Sequence, residues 1–119
     1  GGVDIAFGGI GITGHLAFNE PQPELTAEQF AQLPTRVLDI HPETRATNCV
    51  GDLGGALEDM PRKCVTIGMK EILGARKLRR AVCRRAAYGE VTAAFPATLA
   101  QNHPDALLYV NANAAQTAY

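Results

Sequence analysis

The sequence predicts an α/β domain in which a parallel sheet is flanked by helices. Two observations carry this. Short apolar runs of strand length alternate with segments of helical spacing, the order that builds βαβ units. The first such run, Val3–Phe7, passes directly into a glycine-rich loop, Gly8–Pro21, the arrangement found at the carboxyl edge of open α/β sheets.

Each element has its own local reason. Val3–Phe7 is apolar and is stopped by Gly8-Gly9, so it reads as a buried strand. A parallel strand buried on both faces needs neighbours on both sides. Because this one stands almost at the first residue, residues 1–119 are expected to form a single partial domain that begins partway through the whole. Leu25–Leu33 is helical, with Thr26 as N-cap and Glu28 and Gln29 close behind. Thr35–Ile40 is a strand through Val37, Leu38 and Ile40. His41-Pro42-Glu43 opens a helix that runs to about Cys49, with Pro42 in the first turn, where a missing N–H costs nothing.

Gly51–Met60 is a polar loop, Pro61–Thr66 leads into a strand, and Gly68 breaks to a helix over Met69–Gly74. Arg80–Ala94 has helical spacing, weakened in the middle by Gly89. Leu107–Val110 is a short strand, and Asn111–Ala118 adds a helical turn or two. One join resists this scheme. The helices at 69–74 and 80–94 are separated by a few residues in which Leu78 alone is available for burial. A sheet of this class needs a strand of ~5 residues there. A strand and its following loop are therefore expected to be missing near 77–80.

Composition narrows the function classes. The 119 residues make one small domain, and 46% hydrophobic with 19% charged residues suits a globular core. A net charge of -1 gives the chain no electrostatic reason to seek nucleic acid or an acidic membrane. No apolar run approaches the ~20 residues of a membrane span. Cysteines at 49, 64 and 83 fit neither a zinc ribbon nor a redox pair, so reduced, mostly buried thiols in a cytoplasmic protein are expected. No His/Cys/Asp/Glu cluster has metal-ligand spacing. Gly9, Gly11 and Gly14 satisfy a loose GxGxxG, but Phe18-Asn19-Glu20-Pro21 breaks the helix that a dinucleotide site requires. No cofactor is expected.

The chemistry concentrates in the glycine loop. His15 accepts or donates a proton near neutral pH. Glu20 lies five residues on, past a tight turn closed by Pro21, and folds back to hold one ring nitrogen. A carboxylate in that position fixes the tautomer and raises basicity at the other nitrogen. Six basic residues, Arg76, Lys77, Arg79, Arg80, Arg84 and Arg85, crowd into ten positions. With no aromatic between them they read as a solvated helix face, Arg80 and Arg84 stacked a turn apart, rather than a phosphate or nucleic-acid contact. His41 reads as a helix-entry residue and His103, before Pro104, as a turn residue.

The run GGIG-x-x-GHLAFNEP, residues 8–21, closely resembles the signature of the glucosamine-6-phosphate deaminase family. The likeness continues through Thr35-Arg36-Val37, Glu43-Thr44-Arg45, Met60-Pro61, Val65-Thr66-Ile67-Gly68 and His103-Pro104. The resemblance implies a modified Rossmann-like sheet, shared with phosphogluconolactonases. It implies conversion of glucosamine 6-phosphate and water to fructose 6-phosphate and ammonia. His15 would assist pyranose opening by proton transfer at the ring oxygen, Glu20 would orient it, and Arg45 would bind substrate as a forked cation. Asn19 and the backbone of Gly9, Gly11 and Gly14 would hold sugar hydroxyls or phosphate oxygens.

The pattern departs from the family in three places. The family's aspartate two residues before the histidine is Thr13, which accepts a hydrogen bond but cannot balance an imidazolium charge. The family's allosteric lysine is Leu38, which removes the cation that an activating phosphate would need. The serine-rich loop after Asn-Glu-Pro is replaced by Gln22–Leu33. The family's isomerising aspartate and first phosphate loop precede this stretch, so the chain alone is expected to be inactive. The sequence thus predicts a sugar-phosphate isomerase/deaminase with His15, Glu20 and Thr13 as its catalytic group. Two rivals are a 6-phosphogluconolactonase-like hydrolase and a non-catalytic sugar-phosphate binder. The expected partner is a small sugar phosphate, and a second copy of the chain is the one macromolecular partner left open.

Overall fold

The computed structural model describes residues 2–81, 84–110 and 112. Strand β1, Ile5–Gly8, pairs in parallel with strand β4, Lys77–Ala81, which pairs in parallel with strand β5, Ala106–Tyr109. The order β1-β4-β5 places residues 5–8 against 77–80, and 78–81 against 106–109. Between β1 and β4 come helix α1 (Ala27–Ala31), strand β2 (Arg36–Asp39), helix α2 (Pro42–Asp52), a 3-10 turn (Leu57–Asp59), strand β3 (Lys63–Thr66) and helix α3 (Met69–Leu73). Helix α4 (Arg84–Tyr88) and a 3-10 segment (Pro96–Asn102) separate β4 from β5.

Two expectations are corrected here. Alternating strands and helices suggested one sheet, but β2 and β3 pair with each other, antiparallel, as a separate ribbon with Val37 opposite Val65. The strand expected to be missing near 77–80 is present as β4, and the helix begins at Arg84 rather than Arg80. The loop that would follow it falls on residues 82 and 83, outside the described residues, as do Cys83 and nearly all of 111–119.

Among the described residues, only one face of the parallel sheet is covered. Leu78 on that face joins Leu16, Phe30, Met69, Ile72, Leu99 and the alanines of the 84–100 region in a single core. On the other face Phe7, Leu107 and Tyr109 are exposed, so Val3–Phe7 is not the doubly buried strand expected of it. Helix starts follow their caps. Thr26 accepts from Gln29 N–H while the Gln29 side chain accepts from Thr26 N–H, a complete capping box. His41 accepts from Glu43 N–H at 3.3 Å ahead of Pro42. His103 is nearly buried between Ala75 O, at 2.7 Å, and Asp105 N–H, at 3.1 Å, so it fixes the turn into β5. Cys49 is buried and Cys64 half-buried, both as free thiols.

The expected basic helix face does not form. Arg76 pairs with Asp4, and Arg79 grips Asp105 with two nitrogens at 3.1 Å. Arg80 turns into the interior at 5% exposure, and Arg85 lies 4.5 Å over the Phe95 ring. Among the described residues, no helix is long and apolar enough to cross a membrane.

Candidate functional site

The loop after β1 is held from three sides. Gly11 N–H donates to His15 O and Gly14 N–H to Gly11 O, both at 3.0 Å, which closes the glycine turn on itself. Gly14 adopts φ +80, a conformation side chains rarely take, and a Cβ there would lie 2.4 Å from the Phe95 ring. Ala97 N–H ties down Gly14 O at 2.9 Å. Farther on, Ala17 sits at φ 54 in the turn that joins Leu16 to Asn19. A left-handed alanine is strained, and the tertiary bonds around it hold the turn in place.

Those bonds run to the β2–β3 ribbon. Phe18 N–H donates to Thr66 Oγ1 at 3.0 Å. Asn19, fully buried, donates Nδ2 to Leu16 O at 2.9 Å and to Ile67 O at 2.8 Å, and its Oδ1 accepts from Arg36 at 2.8 Å. The Asn19 amide, expected to contact substrate, is bonded here to these three protein partners.

Within this frame His15, Glu20 and Thr13 converge. His15 Nδ1 lies 2.8 Å from Thr13 Oγ1 and 3.2 Å from Glu20 Oε1, while Thr13 Oγ1 donates to Glu20 Oε2 at 2.5 Å. The His15 and Glu20 side chains are only 12% and 14% exposed. Thr44, from α2, donates its hydroxyl to Glu20 Oε1. A hydroxyl has one proton and two lone pairs. With that proton directed at Glu20, Thr13 Oγ1 accepts from His15, so the proton of the neutral ring sits on Nδ1. Nε2 is left with its lone pair. Threonine thus does more than the sequence suggested: it joins imidazole to carboxylate instead of merely failing to replace an acid.

The ring's position depends on Gly11. A Cβ on Gly11 would lie 1.9 Å from both Cε1 and Nε2 of His15, so the imidazole lies over the bare Cα. Gly9 faces open space, and a Cβ on it would meet nothing within 4 Å. Arg45 is not brought to this cluster by any described bond. It donates Nε to Pro61 O at 3.1 Å and Nη2 to Leu57 O and Met60 O at 3.2 and 2.8 Å, which pins the 3-10 turn to α2. Sequence reasoning missed Thr44, Thr66 and Phe95. Thr44 and Thr66 stood inside the quoted runs Glu43-Thr44-Arg45 and Val65-Thr66-Ile67-Gly68, but nothing in their local sequence marks either as a partner of the loop, and the burial of both is visible only in the fold.

The arrangement is a buried carboxylate, two hydroxyls and an oriented imidazole, a set suited to moving one proton at Nε2. No protein-family model matches the chain. It is similar to the glucosamine-6-phosphate deaminase of Corynebacterium kroppenstedtii, 36% identical over 123 residues, covering 97% of this chain and 45% of that protein. The deaminases of Mycolicibacterium smegmatis and Shouchella clausii are 35% and 32% identical, with 98% and 97% of this chain covered. Its fold matches a solved monomeric glucosamine-6-phosphate deaminase, a member of the NagB superfamily, with a TM-score of 0.77 and 26% identity over 94% of this chain and 46% of that one. The chain spans about half the length of the curated relatives it matches. Along almost its whole length, in sequence and in fold, the chain is related to the glucosamine-6-phosphate deaminases.

Proposed function

We propose that this chain carries the ring-opening half of a sugar-phosphate isomerase/deaminase site, acting on glucosamine 6-phosphate or a related hexose phosphate. The observation that carries the reading is the His15–Thr13–Glu20 arrangement, which supports a ring protonated at Nδ1 and an Nε2 free to exchange a proton. Ring opening needs a proton delivered to the endocyclic oxygen and one removed from the anomeric hydroxyl. An imidazole that alternates between acid and base serves both. The activity for which the relatives are named agrees with this chemistry.

In this reading Glu20 and Thr13 orient His15, and Thr44 orients Glu20. Gly11 and Gly14 act by seating the imidazole and the loop, and Gly9 offers the open backbone position for a substrate oxygen. Arg45 acts through the 57–61 segment that it anchors. The later steps, isomerisation and loss of ammonia, are assigned to groups outside this set. The protein acts in the cytoplasm.

The test is anomer exchange of glucosamine 6-phosphate followed by NMR. Without turning glucosamine 6-phosphate over to fructose 6-phosphate and ammonia, the chain is expected to accelerate exchange above the buffer rate, and His15→Ala to abolish the acceleration. Exchange at the buffer rate in the wild type, or hydrolysis of 6-phosphogluconolactone in its place, contradicts the assignment.

A further inference from the structure

The loop that carries His15 and Glu20 is anchored twice to one short segment. Ala97 N–H donates to Gly14 O at 2.9 Å, and Gln22 N–H donates to Ala93 O at 3.1 Å. His15 and Glu20 both lie between those two anchor points.

The anchoring segment, residues 92–98, is closed on itself around Thr98. Thr98 is fully buried, and its hydroxyl donates to Phe95 O at 2.8 Å while accepting from Thr92 N–H at 3.0 Å. Phe95 N–H returns to Thr92 O at 3.2 Å, and Thr98 N–H to Phe95 O at 3.0 Å. Ala94 N–H bonds the Thr92 hydroxyl at 3.2 Å. These bonds, with Pro96 fixing its own φ, leave the segment little backbone freedom.

Phe95 projects from this segment against Gly14. A Cβ on Gly14 would lie 2.4, 2.5 and 2.7 Å from three atoms of the ring, so the ring takes the space that a side chain would fill. Gly14 stands at φ +80 with no side chain to restrict it, and glycine leaves both signs of φ open. The direction in which His15 leaves the backbone follows from that φ. Arg85, from α4, covers the ring 4.5 Å from its centroid. Gln101 Nε2 ties the end of α4 back through Ala86 O and Gly89 O, at 3.0 and 2.9 Å.

We infer that Phe95 is a positioning residue for His15: held by the 92–98 turn and pressed against Gly14, it fixes the angle at which the imidazole meets Thr13 and Glu20. The effect on rate rests on the ring-opening reading of His15, whereas the effect on the ring's seat does not.

The experiment compares the wild-type chain with Phe95→Leu, Thr98→Val and Thr98→Ser. Nitrogen-15 shifts of the neutral His15 ring report its seat. Anomer exchange of glucosamine 6-phosphate reports rate and half-saturating concentration. Phe95→Leu refills the volume without a flat ring. It is expected to move both ring-nitrogen shifts and to lower the saturating exchange rate about tenfold, because orientation alone is lost. The half-saturating concentration should stay within about twofold of the wild type, since substrate contacts are untouched. Thr98→Val should move the same shifts and lower the rate several-fold, and Thr98→Ser, which restores the hydroxyl, should return both. Phe30→Leu, the same change at a fully buried core position, should lower Tm without moving the His15 signals.

A Phe95→Leu protein with wild-type His15 shifts overturns the inference. So does Phe30→Leu moving them equally, which makes Phe95 one more core side chain. Should Phe95→Leu fail to fold, the Thr98 pair decides: valine displacing the ring and serine restoring it upholds the inference, and two alike overturn it. A wild type that does not accelerate exchange removes the ring-opening reading alone, and the ring-nitrogen shifts then judge Phe95 unaided.

Discussion

His15 Nδ1 lies 3.2 Å from Glu20 Oε1, yet its shorter contact, 2.8 Å, is to the Thr13 hydroxyl, which itself donates to the same carboxylate. The imidazole is therefore held by a branched acceptor, with one arm direct and one through a neutral oxygen. A neutral oxygen in this place orients the ring as an acid would, without adding a second negative charge beside it. Orientation and charge, which a family aspartate supplies together, are separated here.

Gly11 and Gly9 should respond differently to the same methyl group. In Gly11→Ala the new Cβ collides with the His15 ring, which has to swing away from Thr13. The fold should survive, with a loss of roughly 1 kcal/mol, while the His15 side-chain NMR signals move and ring-opening activity falls by at least ~10-fold. Gly9→Ala, in open space, should leave both the fold and the His15 signals unchanged. Equal behaviour of the two variants would remove the imidazole from its place over Gly11.

Asn19→Ala should be among the most destabilising substitutions in the loop. It leaves the Ile67 carbonyl and the Arg36 donor without their partner, and Asn19 is fully buried. The expected cost is roughly 2–3 kcal/mol by urea unfolding. A change below ~0.5 kcal/mol would show that water replaces these bonds freely.

Much of this was legible locally, and what was not has identifiable causes. The α1 start was readable because Thr26 and Gln29 stand at capping-box spacing, and the α2 start because Pro42 fits a first turn. β4 was hidden because its sequence is Lys77-Leu78-Arg79-Arg80, with a cation at one of the two core-facing positions, so no apolar alternation marks it. Its strand character comes from β1 and β5 on either side, a contact distant in sequence. The β2–β3 ribbon escaped for the same reason, since hydrophobic period reports a strand but not its partner. In the site, His15 and Glu20 were readable from one loop, whereas Thr44 reaches Glu20 across 24 positions.

Glu71 should give stability a pH dependence of predictable sign. Desolvation pulls its carboxyl upward. Hydrogen bonds from the Thr35 hydroxyl and N–H, its own N–H and Gly68 outweigh that and hold it below the ordinary value. A carboxyl lowered on folding contributes stability above its unfolded value and loses it as pH falls through the lowered one. The difference in Tm between the wild type and Glu71→Gln should therefore be present at neutral pH and shrink below pH ~4. A difference that grows on acidification contradicts the assignment.

The most direct test of the site is the nitrogen-15 spectrum of the His15 ring in the neutral form. The geometry predicts a proton on Nδ1 and a bare Nε2 in the wild type. That preference should be lost when Thr13→Val and Glu20→Gln are combined. A wild-type ring protonated at Nε2 would leave no lone pair facing a substrate, and the proton-transfer role of His15 would fail with it.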